Sequence, residues 1–160
     1  MRPEHINPFI EGVKELLETM LGGTAEAAAM GTVVRHDPPG AITALIGLSG
    51  PVKGSTALAF PESTATEMAR RLLGMDDVED MVDDAMAEMV NIVAGSAKAK
   101  LFEQIGGDPI QLSLPTMIRG DNFCIQYPSG SSWVEVAFTS DCGPFRLCVT
   151  FGSDDFGKGE

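Results

Sequence analysis

The chain has 160 residues, 44% of them hydrophobic and 21% charged, which suits one folded domain with its own core and excludes a disordered segment. Lys and Arg total 11 against 23 Asp and Glu, a formal net charge of −12. So acidic a chain is a poor partner for nucleic acid or an anionic membrane surface and suits a partner with a basic face.

In chain order, Asn7-Pro8 predicts a helix start, with Asn as N-cap and Pro at the first helical position. Phe9, Ile10, Val13, Leu16, Leu17 and Met20 give that helix one apolar face, and Gly22-Gly23 end it, so a helix is expected over about 8–21. Strands follow over 27–35, 42–49 and 53–60, separated by the turns Asp37-Pro-Pro-Gly40 and Gly50-Pro51. These three are expected to form an antiparallel meander. Thr64-x-x-Glu67 reads as the capping box of a short helix that stops at Leu73, before Gly74. Asp76, Asp77, Glu79, Asp80, Asp83 and Asp84 then favour the first turn of the next helix.

That next helix is long, about 78–105, and Gly106-Gly107-Asp108-Pro109 terminates it. Four strand candidates complete the chain, over 110–114, 122–127, 133–139 and 144–151. Helix plus three strands, a short helix, then a longer helix plus three or four strands reads as a loose internal duplication. The expected class is α+β, two helix-plus-antiparallel-meander halves forming one sheet covered by helices. A single domain over 1–152 is expected, with a polar, frayed tail over 153–160.

No apolar run approaches the roughly 20 residues of a membrane helix, and Met1-Arg-Pro-Glu-His5 lacks the apolar core of a signal peptide. Cys124, Cys142 and Cys148 are odd in number, lack a C-x-x-C spacing and read as reduced, buried thiols of a cytoplasmic protein. His5 and His36 belong to no ligand pattern, so no metal site is expected. There is no G-x-S-x-G elbow, no glycine loop ending in G-K-[ST] and no H-E-x-x-H. Gly50-Pro-Val-Lys-Gly-Ser-Thr56 has the wrong spacing and setting for a phosphate loop.

What remains is the middle of the long helix, Asp84-Ala-Met-Ala-Glu88-Met-Val-Asn91-Ile-Val-Ala-Gly95. At 100° per residue, Asp84, Glu88, Asn91, Gly95 and Lys98 share one side. Val82, Met86, Met89, Val90, Val93, Ala97 and Leu101 fall roughly opposite. Glu88 and Asn91, three residues apart, are neighbours on the helix surface. Two features depart from an ordinary solvated face. Asn disfavours helix interiors, and a mid-helix glycine costs roughly 1 kcal/mol relative to alanine. Gly95 beside Asn91 suggests that another chain approaches there.

The run D-A-x-x-E-x-x-N-x-x-x-G closely resembles the E-x-x-N signature of the CheC/CheX/FliY phosphatases of bacterial chemotaxis. Ile6-Asn-Pro-Phe-Ile-Glu11, Phe60-Pro61 and Leu112-Ser-Leu-Pro-Thr116 resemble the CheX branch, and the likeness spans about residues 5–151. CheC-like members carry the signature in each half, whereas this chain has Glu11-Gly-Val-Lys14 in its first helix, with lysine in place of asparagine. One site per chain again resembles CheX.

The resemblance implies an enzyme, a phosphatase that hydrolyses the phospho-aspartate of a CheY-type response regulator. Asn91 would orient the attacking water, and Glu88 would pair with a lysine of the regulator. Gly95 would allow close approach. Asp84 and Lys98 are expected to add partner contacts from their place on the same side of the helix, apart from what the resemblance implies. It implies no cofactor of the chain's own, Mg²⁺ being held by the phosphorylated partner. It also implies a cytoplasmic homodimer joined edge to edge through sheets, for which Asn122–Tyr127 or Trp133–Phe138 could supply the edge. The competing expectation is a non-catalytic regulator-binding adaptor or flagellar-switch-like module.

Overall fold

The computed structural model describes residues 3–33, 42–120, 125 and 132–152. The class is α+β: one antiparallel sheet with three helices against it. In chain order the elements are α1 (Pro3–Met20), β1 (Ala25–Val33), β2 (Ile42–Ser49), β3 (Gly54–Phe60), α2 (Glu62–Leu73), a 3-10 turn (Glu79–Met81), α3 (Val82–Ile105), β4 (Gln111–Leu112), β5 (Thr116–Arg119), β6 (Trp133–Ser140) and β7 (Phe145–Phe151).

Helix α1 starts earlier than its proline suggests, and Pro8 lies inside it. Its missing N–H forgoes only the bond back to residue 4, close to the helix start. Ile6 extends the buried face of Phe9, Val13, Leu16 and Leu17 by one turn, and that burial outweighs the local start signal. The capping box at Thr64 is also corrected. Helix α2 begins at Glu62 with Pro61 as its N-cap and no side-chain cap bond. Thr64 instead donates its hydroxyl to the Pro144 carbonyl oxygen at 2.9 Å, tying α2 to the β6–β7 turn. The C-terminal end of α2 is as expected, with Gly74 left-handed at φ 65°.

The strand order is β1-β6-β7-β3-β2-β4, with β5 also on β2. The expected first meander therefore holds only for β2 and β3, because β1 pairs with β6 across the molecule. Connection length carries the reason. The β2–β3 and β6–β7 connections, 50–53 and 141–144, are hairpin-sized, whereas the eight residues from 34 to 41 exceed a tight hairpin.

The order also explains the duplication. About a pseudo-two-fold between β3 and β7, α1 corresponds to α3, β2 to β6 and β3 to β7. Each half lends its first strand to the other half's second strand, β1 to β6 and β4 with β5 to β2. The predicted strand over 110–114 is only two residues long, Pro115 interrupts it, and β5 follows as a strand that periodicity does not separate. The Leu112-Ser-Leu-Pro stretch is stitched to β2 through Ser113: the Gly47 N–H donates to its hydroxyl at 2.8 Å, and its own N–H donates to the Gly47 carbonyl at 2.9 Å.

The main core lies between the sheet and the helices, where β2, β3, β6 and β7 present Ile46, Leu58, Val136 and Leu147 to α1 and α3. Phe138 stacks on Phe145 at 5.1 Å between ring centroids, and Phe145 on Phe60 at 5.8 Å. On the opposite sheet face Trp133, Ala57 and Cys148 form a small second cluster with Leu45 and Ile125. Cys142 and Cys148 are buried thiols and are not paired in a disulfide among the described residues. Burial pushes both up from the ordinary thiol range, Cys148 further because it is buried more deeply, with the Glu135 carboxylate adding to the shift. Cys124, His36, most of 122–127 and the tail 153–160 lie outside the described residues. Strand β6 is interior, between β1 and β7, so Trp133–Phe138 is not a free edge. Among the described strands, β1 lies at one end of the sheet.

Candidate functional site

Helix α3 is held firmly before it presents anything. Val82, Met86, Met89, Val90, Val93, Ala97 and Leu101 are all buried, as the helical wheel requires. Near its start Asp83 pairs with Arg119 of β5, with nitrogen–oxygen distances of 2.6 and 3.1 Å. Through that pairing Asp83 raises the guanidinium pKa of Arg119. Five turns along, Lys100 binds Glu15 at 2.8 Å and Glu11 at 3.0 Å, both on α1. Lys100 holds the Glu15 carboxyl below the usual range, and Glu15 in turn raises Lys100. The helices also meet closely at Gly12, where an added Cβ would lie 3.2 Å from the Val93 carbonyl oxygen. None of these clamps has a simple signature in sequence. Each joins residues far apart in the chain, and the lysine and arginine involved read as ordinary surface charges.

The face so held carries Asp84, Glu88 and Asn91, all exposed, with Gly95 and Lys98 half-buried. Glu88, Asn91, Asp84 and Lys98 have no hydrogen-bond or ion-pair partner among the described residues. Gly95 differs from Gly12: nothing lies within 4 Å of a Cβ added to it. No packing among the described residues accounts for a glycine there. The site is thus a convex helix face with an unpaired carboxylate, an unpaired carboxamide and a gap beside them. Such a face cannot enclose a small substrate, but it can enter a concave site on another protein. Among the described residues no group of three or more His, Cys, Asp or Glu is arranged to hold a metal ion, and no helix is long and apolar enough to cross a membrane.

A family model described as chemotaxis phosphatase CheX matches residues 42–139, more than half of the chain and including all of α3. The chain belongs to the CheX family. This CheX-family chain is 25% identical, over 124 residues, to the CheY-P phosphatase CheX of Thermotoga maritima, covering 76% of this chain and 79% of that one. Its fold is similar to that of a CheC-like superfamily protein from Shewanella sp. PV-4, with a TM-score of 0.83 at 26% identity over 95% of this chain and 99% of that one. It is also similar to the chain in a CheX–CheY–BeF3–Mg²⁺ complex from Borrelia burgdorferi, with a TM-score of 0.71 at 25% identity over 94% of this chain and 99% of that one.

Proposed function

We propose that this CheX-family chain is a phosphatase for the aspartyl phosphate of a CheY-type response regulator, with Glu88 and Asn91 as its working pair. The observation that carries the reading is the exposed Glu88–Asn91 pair, unpaired among the described residues, beside a glycine that no described neighbour requires. The Thermotoga relative's activity and the Borrelia complex with CheY support the choice of partner.

An aspartyl phosphate is a mixed anhydride that already hydrolyses in water, so a catalyst has little covalent work to do. Phosphoryl transfer of this kind is accelerated by positioning and by charge. A carboxamide both donates and accepts hydrogen bonds, and it brings no charge to repel the phosphoryl oxygens. Asn91 enters the regulator's site and holds a water in line with the bond to be broken. The water oxygen bonds to phosphorus, the bond from phosphorus to the aspartate oxygen breaks, and the carboxylate leaves. The proton of the water passes to solvent or to the phosphate formed. Glu88 pairs with a cationic lysine of the regulator and fixes the docking, while Gly95 lets the two surfaces close. Asp84 and Lys98 lie on the same stripe and contact the partner. The Mg²⁺ in this chemistry belongs to the regulator.

The same reading puts the chain in the cytoplasm with its partner, as a homodimer. The dimer would use the outer edge of β1, a nine-residue end strand whose Met30 is 59% exposed. Light scattering tests that with a mass of two chains.

The deciding experiment measures phosphate release from acetyl-phosphate-loaded CheY-type receivers, with and without this protein. Accelerated release by the wild type and none by Asn91→Ala, with binding retained, is the expected result. Binding without acceleration by the wild type would make the protein an adaptor instead.

A further inference from the structure

The stripe that carries Glu88 and Asn91 does not stop at Gly95. Counting on at 100° per residue, Ala99 and Phe102 stay within about 60° of it. Phe102 is 45% exposed, an aromatic ring on the side of the helix that is otherwise polar. Beside it lies a hollow of about 370 Å³ lined by Lys98, Ala99, Phe102, Glu103, Pro109 and Ile110. Its walls are largely apolar, and its rim carries Lys98, which has no ion pair among the described residues, and Glu103. Between Asn91 and the hollow's first lining residues, Lys98 and Ala99, the stripe holds Gly95. The open space over Gly95 leaves that path low.

We propose that this hollow receives an apolar side chain of the same response regulator that Asn91 enters, so that the partner is held at two points along α3. The proposal rests on the phosphatase reading of Glu88 and Asn91. Eleven residues separate Asn91 from Phe102, about 16 Å along the helix at 1.5 Å per residue. A standard protein–protein patch of roughly 800 Å² per partner is about 30 Å across, wide enough to contain both points. The division of labour follows from the chemistry. A charged and an amide side chain aimed at a solvated phosphoryl site give orientation and little net affinity, whereas an aromatic-lined hollow that becomes dry on contact is where binding energy concentrates. The regulator presents an aliphatic or aromatic side chain some 16 Å from its phosphoryl group, flanked by an acidic group within reach of Lys98.

The test uses the full chain and a panel of purified CheY-type receivers loaded with acetyl phosphate, taking forward the receiver whose phosphate release the wild type stimulates most. Phe102→Ala is expected to raise KM for that receiver at least tenfold and to lower kcat by less than twofold, with Phe102→Leu restoring most of the affinity. Ala99→Glu, at an exposed helical position, is expected to weaken binding as much by placing a charge in the hollow. Asn91→Ala in parallel should lose kcat and keep affinity. If Asn91→Ala behaves so while Phe102→Ala and Ala99→Glu leave KM unchanged, the hollow has no part in docking and the proposal is overturned, though the phosphatase reading stands. If Phe102→Ala changes the oligomeric mass and not KM, the hollow faces a second copy and the proposal again falls. No stimulation of any receiver by the wild type overturns the phosphatase reading and this proposal with it.

Discussion

Helices α1 and α3 occupy matching places in the two halves, lie against each other, and use similar residues for opposite ends. In sequence pattern, Glu11 and Lys14 on α1 are spaced as Glu88 and Asn91 are on α3, with lysine in place of asparagine. Glu11 is tied with Glu15 to Lys100, so the acids of α1 are turned inward to the helix pair. On α3 the Glu88 carboxylate has no partner among the described residues. Each helix also contains a glycine. Gly12 is explained by the nearness of the Val93 carbonyl, and Gly95 by nothing among the described residues. The two helices thus differ in use: α1 braces α3, and on the proposed reading α3 offers its outer face to a partner.

The sharpest way to break that contrast is at Asn91. Asn91→Ala should lower stimulated phosphate release by roughly 100-fold or more, since loss of a positioning group has effects of that order. Adding Lys14→Asn to Asn91→Ala, which writes the E-x-x-N pattern into α1, should restore nothing while Lys100 still holds Glu11. Recovery of phosphate release in the double variant would show that α1 is no mere brace.

The glycines separate the helices next. Gly12→Ala should lower stability by about 1 kcal/mol, because overpacking against a backbone carbonyl outweighs the gain in helix propensity, and should leave kcat alone. Gly95→Ala has room for its methyl group and should stabilise the free protein by about 0.5–1 kcal/mol. It should also weaken regulator binding several-fold. Chemical denaturation beside a binding titration reads both, and a Gly95→Ala variant with unchanged affinity would remove the close-approach role.

Smaller still is the brace itself. Lys100→Ala should cost about 0.5–1 kcal/mol, the modest worth of partly exposed ion pairs with the added repulsion of Glu11 and Glu15 left side by side. It should change activity only through the setting of α3.

The smallest effect is with pH. Lys100 depresses the Glu15 carboxyl, and Arg71, at 2.7 Å, depresses Asp141 most, with help from the Thr24 N–H. A carboxyl held below its unfolded value contributes stability above that value and loses it as pH falls through the folded one. Thermal midpoints should therefore hold above about pH 4, the ordinary carboxylate range, and decline below it. The decline should be shallower in Lys100→Ala and in Arg71→Ala.

Much of this was written locally. The buried stripe of α3 from Val82 to Leu101 and the hairpin of β2 with β3 follow from residue spacing, because a helix or strand repeats its environment at a fixed period. The run around Glu88 and Asn91 carried its family resemblance in the same local way. The sequence by itself determined which side of α3 faces outward and that Gly95 was anomalous there.

Only the tertiary structure decided that β1 crosses to β6, since strand periodicity names no neighbour. It alone turned Thr64 from a cap into a tie to Pro144 and carried α1 back past Pro8, where burial of Ile6 outweighs a local start signal. Gly12 and Gly95 read alike in a helical pattern. What distinguishes them is the distance to another chain segment, and that quantity exists only after the helices have been brought together.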